Sequence, residues 1–216
     1  MTSIAIYNNK GGVGKTTGVI NISQRLAELG KRVLVADTDG QENCRRFFSG
    51  AETPERPYGT RYDRIDMIAA AKEPDDIFSF SDRQSYDYML IDMPPALNDF
   101  TRSVLTASDY VFVPIELGLF AIQGVPTVTD IISRSGTRFG GCFANRFDKD
   151  NPSDVQLLEM LRSSLGNKAM DSVIPYSRVI KNSTNYGVTA AEYMGWTAAS
   201  AAFAALTREI VERTGG

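Results

Sequence analysis

The stretch Lys10-Gly11-Gly12-Val13-Gly14-Lys15-Thr16-Thr17 holds the residue types that a bound phosphate chain needs. A glycine-rich turn between a strand and a helix can aim backbone N–H groups at an anion, and the helix N-terminus adds partial positive charge. In such a turn Gly11, Gly12 and Gly14 let the backbone approach the phosphates, and Val13 belongs to the same cradle. Lys15 is placed to reach the β- and γ-phosphates, the Thr16 hydroxyl to ligate Mg²⁺, and Thr17 to contact the α-phosphate. The strict phosphate-loop pattern asks for Gly five residues before the Gly-Lys pair, and Asn9 stands there instead. Lys10 has no place in that pattern. It is a solvated loop cation, a second phosphate ligand in its own chain, or a contact to a second molecule.

The elements that must position these residues are visible as apolar runs. Ser3–Asn8, Arg32–Asp37, Tyr88–Asp92, Tyr110–Ile115, Phe139–Asn145 and Ser172–Pro175 are short and rich in Val and Ile, as strands covered on both faces are. Helical periodicity lies between them, most clearly over Thr17–Leu29, closed by Gly30, and over Val155–Leu165. Strand alternating with helix predicts an α/β fold, a doubly wound, mostly parallel sheet with helices on both faces, built as one domain over residues 1–216. Ser49–Tyr62 reads as a polar surface loop. Trp196–Arg213 reads as a helix laid on the sheet, with Trp196, Ala199, Phe203, Leu206 and Ile210 on its apolar face.

Composition excludes several chemistries. There is no histidine, which removes His-based acid–base work and most zinc catalysis. Cys44 and Cys142 form no CxxC pair and read as two plain thiols. A net charge of −3 argues against a protein that coats nucleic acid by bulk charge, although a local basic patch is compatible with it. No apolar run approaches the roughly 20 residues that span a bilayer, and the first strand begins without a charged and apolar leader. The expected location is the cytoplasm.

The run Lys10–Thr17 resembles the deviant Walker A box of the ParA/MinD group of ATPases, P-loop proteins that include plasmid and chromosome partition proteins. Further motifs extend the resemblance. Asp37-Thr38-Asp39-Gly40-Gln41 is similar to the group's D-x-D-P-Q, with Gly40 in place of the proline. The resemblance implies that Asp39 positions or activates the attacking water. Tyr88–Pro95 resembles the Walker B strand and the D-x-P-P switch that follows it, implying that Asp92 holds Mg²⁺ through water. Phe143–Lys149 is similar to a strand ending whose Asn contacts adenine, and Val173–Val179 to an Ile-Pro segment that covers the base. These imply base contacts for Asn145 and Pro175.

For Lys10 the resemblance implies a reach across a dimer interface to the phosphates held by the other subunit. One positive charge ~4 Å from a phosphate oxygen, at an effective dielectric of 20, contributes about 4 kcal/mol before desolvation, or up to roughly a thousandfold in association. The implied protein takes ATP and Mg²⁺, hydrolyses ATP slowly, forms an ATP-bound homodimer on nonspecific DNA and the nucleoid, and responds to a ParB-like partner. It would be of the compact class without a helix-turn-helix extension. Arg178 and Lys181 are the implied DNA contacts. A MinD-like or cargo-positioning ATPase and an ATP-dependent small-molecule ligase of related fold are the alternatives. The mixed charge of Arg208–Gly216 disfavours membrane attachment.

Overall fold

In the computed structural model, which describes residues 1–49, 58–68, 77–79 and 83–216, the apolar runs rich in Val and Ile become strands. These are β1 (Thr2–Ile6), β2 (Val33–Asp37), β3 (Tyr58–Gly59), β4 (Ile65–Ile68), β5 (Tyr88–Asp92), β6 (Tyr110–Glu116) and β7 (Arg138–Asn145). They join in one sheet of order β3-β4-β2-β5-β1-β6-β7. Every pairing is parallel except β3 with β4. The helices are α1 (Lys15–Glu28), α2 (Asn43–Ser49), α3 (Asp99–Ala107), α4 (Leu119–Ser135), α5 (Pro152–Leu165), α6 (Arg178–Asn185), α7 (Ala190–Met194) and α8 (Ala198–Thr214).

Side-chain alternation along each strand divides the core into two layers. Ile4 and Ile6 of β1, with Val33 and Val35 of β2, face α1 and α8, meeting Val19, Ile22, Leu26, Phe203, Leu206 and Ile210. Ala5, Leu34 and Ala36 face the opposite way, toward Val104, Leu105, Ile122, Val125, Val128, Ile132 and Leu161 of α3, α4 and α5. The expected doubly wound sheet with helices on both faces is what forms.

Four local expectations change. Ser172–Pro175 is not a strand: it lies beside the end of β7 through single backbone bonds, Ile174 N–H to Ala144 O at 2.9 Å and Phe147 N–H to Ile174 O at 3.0 Å. The Ser49–Tyr62 loop falls partly on residues 50–57, outside the described residues, while Ser49 ends α2 and Tyr58 and Gly59 form β3. Trp196 is 75% exposed and precedes α8. That helix starts two residues later, at Ala198, because Thr197 and Ser200 cap it reciprocally, whereas Ala199, Phe203, Leu206 and Ile210 are buried as expected. Finally, α1 begins at Lys15 rather than Thr17.

Both cysteines are free and buried. Among the described residues no helix is long and apolar enough to cross a membrane.

Candidate functional site

The parallel sheet sends the C-terminal ends of β2, β5 and β1, three adjacent strands, to one edge, the position where open α/β sheets bind ligands. β1 runs through Tyr7 and Asn8 into the glycine-rich turn. The Asn8 side chain is the peg of that turn. Its amide donates to Pro114 O at 2.8 Å and its Oδ1 accepts the Lys10 N–H at 2.9 Å. Left-handed backbone falls on Gly12 (φ 75°) and Gly14 (φ 97°), whereas Asn9 is not left-handed, so its position makes no demand for glycine. A Cβ at Gly11 or Gly12 would meet nothing within 4 Å, which leaves the mouth of the turn open.

Gly14 is also the N-cap of α1, and it supplies no side-chain hydrogen bond. The first turn holds no acidic residue. The N–H groups that a Ser or Asp cap would satisfy are therefore available to an anion. Lys15 is 7% exposed, and its ammonium donates to Asn8 O and Lys10 O, each at 3.2 Å. Burial lowers its pKa, opposed by the charges of Asp92 and Asp39. Lys10, by contrast, is exposed, and only its backbone is tied to the turn.

Asp37 ends β2 and Asp92 ends β5, and the two are register partners. Both are buried, at 0% and 1% exposure. Asp37 accepts the N–H groups of Asp39 at 3.0 Å and Arg45 at 2.8 Å. Burial still pushes its carboxyl up to about 6. Asp92 is pushed up to about 8 by burial and then by the Asp37 charge beside it. The Thr16 hydroxyl is close enough to pull that value down, yet neither carboxylate oxygen of Asp92 has a partner in hydrogen-bonding geometry. Two orphaned, buried carboxylate oxygens next to a hydroxyl suit a hard cation with bound water. Asp39 is less buried, and its carboxylate accepts the Gln41 N–H at 3.0 Å across Gly40.

On the far side of the turn, Asn145 ends β7 and its side-chain nitrogen donates to Val13 O at 2.7 Å. A carbonyl can only accept, so this contact fixes which end of the amide faces the turn and leaves Oδ1 as an acceptor. Gly14 is the counterpart: a Cβ there would sit 2.1 Å from Asn145 Nδ2. Asn145, Gly14, Thr17, Pro175, Tyr176 and Lys181 line a pocket of about 500 Å³. The left-handed Arg146 (φ 56°) pairs with Glu116 at 3.2 Å on its rim. Pro175 is held there by a bridge to Phe147.

All the expected phosphate-loop residues, with Asp39 and Asp92, therefore meet at one sheet edge, and Asn145 and Pro175 share a pocket that opens onto them. Arg178 and Lys181 are exposed one turn apart on α6, and Lys181 also lines that pocket. The sequence reading passed over Asn8, Asp37 and the Asn145–Val13 bond. An Asx turn at Asn8 had a local signal, an Asn two residues before Lys10, but its partner Pro114 lies 106 positions away.

Comparison with known proteins agrees with this geometry. The model of an AAA domain family matches residues 1–57 and 79–139. The chromosome partitioning protein ParA of Caulobacter vibrioides is 30% identical, with 97% of this chain and 94% of that protein covered. The sporulation initiation inhibitor protein Soj of Bacillus subtilis is 27% identical over 85% of this chain and 88% of its own. Among solved structures, the septum site-determining protein MinD of Pyrococcus horikoshii, complexed with Mg-ADP, superposes with a TM-score of 0.83 at 23% identity, covering 99% of this chain and 97% of that one. A nucleotide-type phosphate loop, a buried carboxylate at the adjacent strand end and full-length partition relatives converge: the chain belongs to the ParA/MinD family of P-loop ATPases.

Proposed function

We propose that this chain is a dimerising switch ATPase that positions DNA, a plasmid or a chromosome, by alternating between an ATP-bound dimer and a released form. One observation carries the reading: at the ends of β1 and β5 a buried lysine, an uncapped helix N-terminus and a buried orphan carboxylate surround one open turn. Such a set holds a polyphosphate with its divalent cation.

In this reading the backbone of Gly11 to Thr17 cradles the phosphates and Lys15 neutralises the β- and γ-phosphates. Thr16 and, through water, Asp92 hold Mg²⁺, which when bound would offset charge on the phosphates. Asp39 orients the attacking water through the carboxylate oxygen that the Gln41 N–H does not occupy. Asn145 offers its Oδ1 acceptor to the exocyclic amine of adenine; guanine, which presents an acceptor at that position, is disfavoured. Pro175 covers the base. Lys10, exposed at the lip of the turn, serves the phosphates of the other subunit. ATP then controls dimerisation through a contact that exists only when the partner is loaded.

Arg178 and Lys181 are the proposed contacts to nonspecific DNA, and a ParB-like or adaptor protein is the proposed stimulator of hydrolysis. The test is ATP turnover and DNA retention with and without such a partner. The reading expects slow basal hydrolysis, DNA retention only with ATP, and faster hydrolysis when DNA and partner are both added. Turnover that appears only with a small-molecule carboxylate or amine would instead assign the ligase reading.

A further inference from the structure

The segment after Ile174 is clamped to the end of β7: Phe147 N–H donates to Ile174 O at 3.0 Å, and Tyr176 N–H donates to Phe147 O at 2.8 Å. One residue further on, the Ser177 side chain caps α6 by accepting the Val179 N–H. The backbone of Tyr176 is therefore held on both sides, while its ring is free. The residue is 67% exposed, and its side chain makes no hydrogen bond or ring contact among the described residues. It lines the pocket of about 500 Å³ that Asn145 and Pro175 also line, and among the described residues there it is the aromatic one. Such a ring on the wall of a concave site is a flat apolar face with nothing laid against it.

We propose that Tyr176 is the stacking platform of this pocket, its ring lying against the face of the bound purine. The inference rests on the reading of the pocket as the base site and deepens it by separating two tasks. Asn145 reads the edge of the base with Oδ1, since its amide nitrogen is engaged by Val13 O. An edge contact distinguishes one base from another but covers little area. Stacking supplies the area and is blind to the edge, because every base has a π-face. Ordering the ring costs little, since only two side-chain torsions are fixed, on a backbone already held. Tyr186 offers no such platform. It is 73% exposed, but its ring already stacks on Tyr193 at 5.6 Å between centroids, and it lies outside the pocket lining.

The experiment uses the full chain with Mg²⁺ and measures the binding of three ligands by isothermal titration calorimetry. Two are slowly hydrolysed analogues of ATP and GTP, and the third is inorganic tripolyphosphate, which has no base. Tyr176→Ala and Tyr176→Phe are compared with the starting chain, and Tyr186→Ala removes an exposed ring outside the pocket. Tyr176 is no part of the buried core, so its replacement leaves the fold intact.

Tyr176→Ala should weaken both purine analogues by the same factor, about tenfold or more, the scale of one base–aromatic stack. The preference for ATP over GTP and the affinity for tripolyphosphate should not change. Tyr176→Phe, which keeps the ring, and Tyr186→Ala should both stay within about twofold of the starting chain. Unchanged purine affinity in Tyr176→Ala, or an equal loss in Tyr176→Phe or Tyr186→Ala, overturns this inference and leaves the base-site reading standing. A loss confined to the ATP analogue would place the ring at the edge of the base, and an equal loss for tripolyphosphate would place it at the phosphate turn; each overturns the inference as well. A starting chain that binds the ATP analogue no more tightly than tripolyphosphate overturns both readings together.

Discussion

A carboxylate buried without a hydrogen-bond partner, as Asp92 is, costs the fold on the order of 1–3 kcal/mol. Its raised pKa is the same cost seen from the proton's side. Replacement by the neutral isostere should therefore stabilise the nucleotide-free protein while harming its chemistry. Asp92→Asn is expected to raise the melting temperature at pH 8 by a few degrees, since ~1 kcal/mol corresponds to about 2–4 °C at this chain length. Mg²⁺-dependent ATP hydrolysis should fall on the order of a hundredfold or more. Calorimetry beside a phosphate-release assay checks both halves, and a lower melting temperature would show that Asp92 has partners in the free protein. Asn145 makes the opposite trade. Asn145→Asp sets two acceptors against each other where Asn145 now donates to Val13 O at 2.7 Å. The variant should lose roughly 1–3 kcal/mol in urea denaturation and bind ATP more weakly. Equal stability and affinity in the variant would remove the amide's claimed hold on the turn.

At the scale of elements, α8 is fastened to the segment after α5 by Glu209. Its carboxylate accepts the N–H groups of Asp171 at 3.0 Å and Ser172 at 2.9 Å and pairs with Arg213. Burial acts to raise its pKa, but these hydrogen bonds and the Arg213 charge outweigh burial and leave it below the ordinary value. A depressed acid contributes stability that is present above the unfolded-state pKa, about 4.3, and is lost as pH falls through the folded value. Glu209→Gln should therefore be less stable than the starting chain at pH 7, by about 1 kcal/mol for a partly exposed group. The gap should close on acidification below pH 4, as read from denaturation midpoints across pH. A gap that does not change with pH would contradict the account.

The same scale shows what could be read from sequence. The strands β1, β2, β5, β6 and β7, the helix α1 and the contents of the phosphate turn follow local rules of periodicity, glycine placement and capping. They were legible for that reason. Ser172–Pro175 has the composition of a strand but too few backbone bonds to β7 to make one, and composition cannot count bonds. The two-residue β3 pairs, among the described residues, only with β4, and no run of its own announces it. Trp196 continues the apolar spacing of α8 but lies outside it, because the Thr197–Ser200 cap marks the start of that helix. Asn145 could be nominated for the site, but its hold on Val13, 132 positions away, is set by the fold and by no neighbour in sequence.

At the scale of the whole molecule, one sheet edge collects the candidate nucleotide site and an exposed lysine at its lip. Within one subunit Lys10 has no side-chain partner among the described residues, and its only hydrogen bonds are made by its backbone. A lysine that only decorated a loop would be dispensable. A lysine that reads the partner's nucleotide would be needed for association and not for binding. The most direct test measures the mass of the Lys10→Ala variant with saturating ATP and Mg²⁺ by light scattering, alongside its ATP affinity. The account predicts that the starting chain doubles in mass with ATP, while the variant stays monomeric and binds ATP within about threefold of normal, the loss of dimer reflecting a charge contact worth up to roughly a thousandfold in association. A variant that dimerises with ATP as the starting chain does would contradict it.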